Sequence, residues 1–141
     1  MKLSGSNRVV AAVALCGVAW FAYASTRAEG GSAMKAAHAL VEAFNEHDAA
    51  AMAALVSEDF ELYYVDDKGA SELAVTGPEQ LQQSMTGYFK HQPKVRSEVV
   101  ASVDGPVYVS FREQIVGGQS SLAVYEVRDE KIKRVWYFPA E

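Results

Sequence analysis

The 141-residue sequence has one cysteine, Cys16, and three histidines. Cys16 lies inside an apolar N-terminal stretch, so the chain beyond it can form no disulfide, and its core must hold by packing alone even in an oxidising compartment. Leu15 precedes that cysteine where a lipidation signal wants a small residue. His38, His47 and His91 fall on different expected helices or helix ends, without an H-x-x-x-H pair, so the sequence asks for neither a metal nor another cofactor. Glycine-rich phosphate loops are missing. Ser57 and the serines of "GGQSSL" lack the strand–turn–helix setting of a catalytic nucleophile. Positive charge is scarce: 13 Lys and Arg face 18 Asp and Glu, for a net charge of −5, and Lys2 and Arg8 belong to the N-terminal stretch. So acidic a chain carries no electrostatic footprint for nucleic acid and no polybasic patch for anionic lipid. No internal repeat or low-complexity tract appears.

What is present begins with an export pattern over residues 1–24. Lys2 and Arg8 form a positive start, "VVAAVALCGVAWFAYA" is the apolar run, and Ala22 and Ala24 stand at the small positions of a cleavage site before Ser25. The run is shorter than the roughly 20 residues of a spanning helix. The expectation is an exported, periplasmic or secreted chain. The other reading is a short uncleaved anchor, the only route by which a membrane enters. Residues 25–32, small and Gly-rich, read as a linker, and residues 33–141 as the folded domain.

In that domain Ser32 is placed to cap a helix whose stripe is Ala37, Leu40, Val41 and Phe44. The helix should stop near His47, and Asp48 should cap a second one, "AAAMAALVSEDF". "FELYYV" alternates as a strand, "DDKGASE" turns, and "LAVTG" returns. "TGPEQLQQSMTGYFKH" reads as a third helix, with Leu81, Met85, Tyr88 and Phe89 on one side and Gly87 permitting close packing. Four strands follow, "KVRSEVVASV", "VYVSFREQIV", "SLAVYEV" and "KIKRVWYF", joined by turn residues. Helices followed by a run of antiparallel strands predict an α+β fold.

A two-residue turn at Asp129-Glu130 and a symmetric closure at "GGQS" set a register. It gives an inner face of Val107, Val109, Phe111, Glu113, Ile115, Leu122, Val124, Glu126, Lys133, Val135 and Tyr137. The other face then carries Tyr108, Ser110, Arg112, Gln114, Ala123, Tyr125, Arg134, Trp136 and Phe138. Its mixture of aromatics and arginines, with Arg112, Tyr125, Trp136 and Phe138 as the patch, suits a homodimer contact. Glu126 is expected to pair with Lys133. With Lys133 opposite Glu126, Glu113 is left with no obvious cation on its face. It is either a pocket acid or base with a raised pKa, or a rim carboxylate in solvent if the register slips by one residue.

The segments "LVEAFNEHDAAAMAALVSEDFELY", "GPEQLQQSMTGYF" and "YEVRDEKIKRVWYF" resemble the nuclear transport factor 2-like superfamily, in particular its SnoaL-like group, over residues 33–139. The resemblance implies a cone of three helices on a curved, mainly antiparallel sheet. That fold carries isomerases, cyclases, dehydratases, transport adaptors and inert binding modules alike. The superfamily's ketosteroid isomerases use a tyrosine, an aspartate base and a second acid; these positions fall on Leu40, Tyr64 and Val124, so that triad is not retained. By the same matching, Tyr64 and Asp66 point into the cone beside Glu113 and Tyr137. Each has a second reading: rim packing for the tyrosines and turn formation for Asp66.

Three functions follow from the sequence. The first is an exported module that binds a small apolar or amphipathic molecule in a pocket walled by Leu40, Phe44, Met85, Phe89, Val124, Val135 and Tyr137. The second is an enzyme of the isomerase, cyclase or dehydratase kind using Glu113 or Asp66 as acid or base and Tyr64 as donor. The third is a dimeric interaction module.

Overall fold

Small side chains decide how the first helix sits. Helix α1 (Gly31–Asn45) buries Ala33, Ala36, Ala37 and Ala43 beside Leu40 and Val41, and so slim a stripe lets its axis lie close to the sheet. The computed structural model describes residues 31–140, so the expected export segment and all but the end of the expected linker lie outside the described residues. Among the described residues no helix is long and apolar enough to cross a membrane.

The end of α1 is a Schellman-type stop. His47 takes the left-handed conformation at φ 57°, its N–H reaches the Phe44 carbonyl, and the Asp48 N–H reaches that of Ala43. The imidazole holds this turn in place: Nε2 lies 2.7 Å from the Val95 carbonyl, and the ring stacks on Phe89 at 4.7 Å. Asp48 then caps helix α2 (Ala49–Ala54), accepting from the Ala51 N–H at 2.9 Å.

Helix α2 is shorter than its alanine run suggests. Strand β1 (Val56–Val65) begins directly after Leu55, because Val56, Phe60 and Leu62 all find buried places on the sheet and pairing there overrides local helical preference. Strand β2 (Ser71–Thr76) returns antiparallel, and helix α3 (Gly77–His91) follows with Pro78 in its first turn. Strands β3 (Ser97–Val103), β4 (Tyr108–Ile115), β5 (Ser120–Arg128) and β6 (Lys131–Ala140) complete a six-stranded sheet of order β2-β1-β6-β5-β4-β3. Every pairing is antiparallel except β1 with β6. The α+β architecture, helices on a mainly antiparallel sheet, is as the sequence predicts.

Two connections differ from the symmetric register. The Asp129-Glu130 turn has two residues, both at positive φ, as a tight hairpin of this hand requires. A bulge between Glu126 and Val127 then pairs Glu126 with Arg134 instead of Lys133. At the other hairpin the Ile115 N–H bonds to the Gln119 carbonyl, which closes a three-residue loop around Gly117 at φ +76°. Phe111 therefore faces Ala123, and Glu113 faces Ser121.

The consequence is a corrected inner face. Strand β5 presents Ala123, Tyr125 and Val127 to the helices, all buried. Leu122 and Val124 point outward, with Val124 between Ser110 and Trp136. Strands β4 and β6 keep the expected orientation: Val109, Phe111, Glu113 and Val135 are buried.

Candidate functional site

The site grows from strand β4. Alternation along it sends Val109, Phe111 and Glu113 to the helical side, so a carboxyl follows two core residues inward. Glu113 is 7% exposed. Its Oε2 accepts from the Ser97 hydroxyl at 3.2 Å, and its Oε1 accepts from the Tyr125 phenol. Neither partner is charged. Burial therefore dominates and raises the carboxyl above the ordinary carboxylate range, while the two hydroxyl bonds pull it partly back. Among the described residues no buried polar side-chain atom lacks a partner, so this carboxyl is held in place by design of its neighbours.

Ser97 is in turn fixed from 52 residues upstream. Asn45, at the end of α1, donates from Nδ2 to the Ser97 carbonyl at 2.9 Å, and its Oδ1 accepts the Ser97 N–H at 2.7 Å. The amide imitates one rung of a β-ladder and ties the first residue of β3 to the helix. Asn45 thus sets the backbone that aims the Ser97 hydroxyl at Glu113.

Tyr125 is fully buried and packs against Phe111 at 5.3 Å between ring centroids. Burial first, and then the neighbouring Tyr137 and Glu113, push its phenol well above the usual tyrosine range. Tyr137 is raised likewise, by burial and then by the charge of Glu113, and it lies beside Tyr125. Each phenol has one proton. When Glu113 is ionised, Tyr125 spends its single phenolic proton on that carboxylate. When Glu113 is protonated, the direction can reverse. The group is thus a buried carboxyl–phenol pair with Tyr137 beside it, and Tyr64, 57% exposed, stacks its ring on Tyr137 at 5.9 Å.

These residues border a cavity of about 710 Å³ between the helices and the inner sheet face. Leu40 and Phe44 from α1, Met85 and Tyr88 from α3, and Tyr64 and Tyr137 from the sheet contribute walls. The structure therefore brings together six of the residues singled out from sequence: Leu40, Phe44, Tyr64, Met85, Glu113 and Tyr137. Asp66 also borders the cavity, but its Oδ1 accepts the Lys68 and Ala70 N–H groups at 2.9 and 2.8 Å, which commits it to the β1–β2 turn. Three expected wall residues stand elsewhere. Phe89 is buried against His47 and Phe44, Val135 is wholly in the core, and Val124 faces outward because the β4–β5 loop has three residues. The resemblance had matched Val124 to an inward acid; an outward side chain cannot serve that place, and Tyr125 and Ala123 hold the inward positions beside it.

Tyr125, expected on the outer face, belongs to the site instead, and Ser97 and Asn45 escaped the sequence reading. A three-residue loop centred on a glycine was the available signal for Tyr125. Nothing local marks the other two.

The outer face is organised separately. Arg134 bonds Glu61 at 2.7 Å and Glu126 at 3.0 Å, and Arg128 bonds Glu126 at 2.9 Å. Glu126 is covered by these long side chains, and its carboxyl is held below the ordinary range first by Arg128 and then by Arg134 against the cost of burial. Lys133, displaced by the bulge, pairs with Asp59 at 2.9 Å. Beside this network Tyr63 stacks on Trp136 at 6.1 Å. Among the described residues no group of three or more His, Cys, Asp or Glu could hold a metal ion.

Residues 37–135 match the model of the SnoaL-like domain. A SnoaL-like protein of unknown function from Burkholderia thailandensis shares the fold at 18% identity, with 79% of this chain and 96% of that one covered and a TM-score of 0.63. A putative ketosteroid isomerase from Kribbella flavida shares it at 17% identity, covering 79% of each chain with a TM-score of 0.61. An uncharacterised cystatin-fold protein from Novosphingobium aromaticivorans matches at 20% identity over 73% of this chain and 94% of that one, with a TM-score of 0.62. At such identities the likeness is one of fold. No curated protein matches the sequence.

Proposed function

Because the chain belongs to the SnoaL-like domain family of the nuclear transport factor 2-like superfamily, we propose that its cavity binds a small apolar or amphipathic molecule, with Glu113 as the polar anchor. The observation that carries this reading is a buried carboxyl, satisfied only by neutral hydroxyls, at a wall of an otherwise largely apolar cavity. Pockets of this composition, a few converging polar groups in an apolar lining, are the usual form of small-molecule sites. In this reading the chain acts after export, as the apolar run and the Ala22-x-Ala24 pattern suggest.

The test is a ligand screen by thermal shift, repeated on Met85→Trp. Met85 is a half-buried wall residue, so the indole should fill the cavity. Compounds that stabilise the unmodified chain and not the variant support the pocket. Compounds that stabilise both equally bind elsewhere, and an apolar library without a single hit removes the reading.

A catalytic reading is favoured by one feature, the hydrogen-bonded Glu113–Tyr125 pair. It places a proton acceptor and a proton donor within one row, the equipment of acid–base isomerisation or dehydration. Turnover of a bound hit that is lost in Glu113→Gln while binding survives would establish it; binding without turnover leaves a carrier or sensor.

A further inference from the structure

The charges around the cavity are of one sign. Three of its lining residues bear carboxyls, Glu113, Asp66 and Asp67, and none is a lysine, arginine or histidine. The remaining wall is mostly aliphatic or aromatic, with Ser84, Ser97, Gln119, Ser120 and Ser121 as neutral polar members, and several rings, among them Phe44, Tyr64, Tyr88 and Tyr137, border the same space. Tyr64 lies against Tyr137, and Phe44 lies 6.1 Å from Tyr88. We propose that the ligand is an apolar amine, bound with its ammonium group at Glu113 and its hydrocarbon body against the helices.

Three physical terms favour that class, and the inference rests on the cavity being a binding site at all. A carboxylate that is 7% exposed and bonded only to hydroxyls lacks the opposite charge that normally offsets its loss of water, and an ammonium ion supplies it. Ring faces carry the negative part of the aromatic quadrupole and attract cations where water is excluded. Asp66 and Asp67 border the same space, so an approaching cation meets attraction throughout, and an anion meets repulsion with no basic residue to relieve it. A neutral ligand is indifferent to these terms. A ligand carboxylate is excluded by them.

The experiment compares probes that share a skeleton and differ in the head group. Adamantylamine, adamantanol and adamantane carboxylate, with octylamine, octanol and octanoate as a flexible set, are titrated calorimetrically into the full chain and into Glu113→Gln near neutral pH. The expected result is an amine bound at least about tenfold tighter than its alcohol, as one charge-assisted hydrogen bond implies, with no detectable carboxylate binding. In Glu113→Gln the amine should fall to the level of the alcohol, and the alcohol should be unchanged. Alcohols that bind as well as amines overturn the ligand class and leave the pocket standing. An amine preference that survives in Glu113→Gln overturns the anchor. Failure of all six probes overturns the inference together with the binding reading beneath it.

Discussion

Tyr125 donates its phenolic hydrogen to Glu113 across the β4–β5 ladder, twelve residues away in sequence. The two belong to neighbouring strands and to the same buried face, and burial, Tyr137 and Glu113 together raise the cost of ionising Tyr125. The pair makes a carboxyl stable in a place where hydrocarbon would pack more simply, which is why it reads as a site.

Replacing Tyr125 by Phe should cost about 1–3 kcal/mol, the ordinary consequence of leaving a buried polar group short of a partner. It should also move the Glu113 titration upward, since the phenol bond holds that carboxyl down against burial. Denaturant unfolding gives the first quantity, and the pH dependence of stability gives the second. A loss of stability with no movement of the titration would mean that the phenol merely fills space.

Glu113→Gln should show a pH-dependent gain. The folded-state pKa of Glu113 lies above its unfolded value because of burial. Its stabilising contribution is therefore full below the ordinary carboxylate range and is lost as pH rises through the folded-state value. The wild-type chain should match the glutamine variant in acid and fall below it toward neutrality. Parallel melting curves across that window would contradict a desolvated carboxyl.

Gly87→Ala should stabilise the chain by about 1 kcal/mol, the helix-propensity difference between the two residues. The sequence suggests that Gly87 permits close packing, yet an added Cβ there would meet nothing within 4 Å. Chemical denaturation decides it; a loss of stability would point to a contact made in an assembly.

The outer sheet face should join two copies of the chain. Trp136 and Tyr63 stack there, with Leu122, 41% exposed, on the adjoining strand. Tyr125 has left the patch expected from sequence, and Leu122 and Val124 have replaced it. Sedimentation should show a dimer that Trp136→Asp weakens at least about tenfold, as loss of a central aromatic does at interfaces. A monomer at high concentration would end this reading.

How much of this was legible in the sequence depends on what each property requires. Glu113 faces inward because of parity within β4 itself, two residues beyond Phe111, and no turn can change that. The relation between strands is different, because it passes through connections whose length is chemical detail. The β4–β5 loop moved the register by an odd number of residues, and the Glu126/Val127 bulge moved it by another. The two shifts cancel for β6, so Val135 and Tyr137 kept their predicted side and β5 alone was reversed. Helix α2 was overdrawn because a run of alanines is helical by preference, while Val56 answers to a strand far along the chain. The Asn45–Ser97 clasp spans 52 residues, and no local pattern reports a contact of that separation.

The sheet order carries a consequence for how the chain is made. Strand β6, the last in sequence, lies between β1 and β5 and supplies the parallel seam that joins the β1–β2 hairpin to the β3–β5 meander. Until it arrives, the earlier strands form two separate ribbons, each with an open edge toward the missing partner. The seam is long-range: Glu61 and Arg134, which pair across it, stand 73 residues apart in sequence. Closure of that kind slows folding, so the docking of β6 should limit how fast the whole sheet forms.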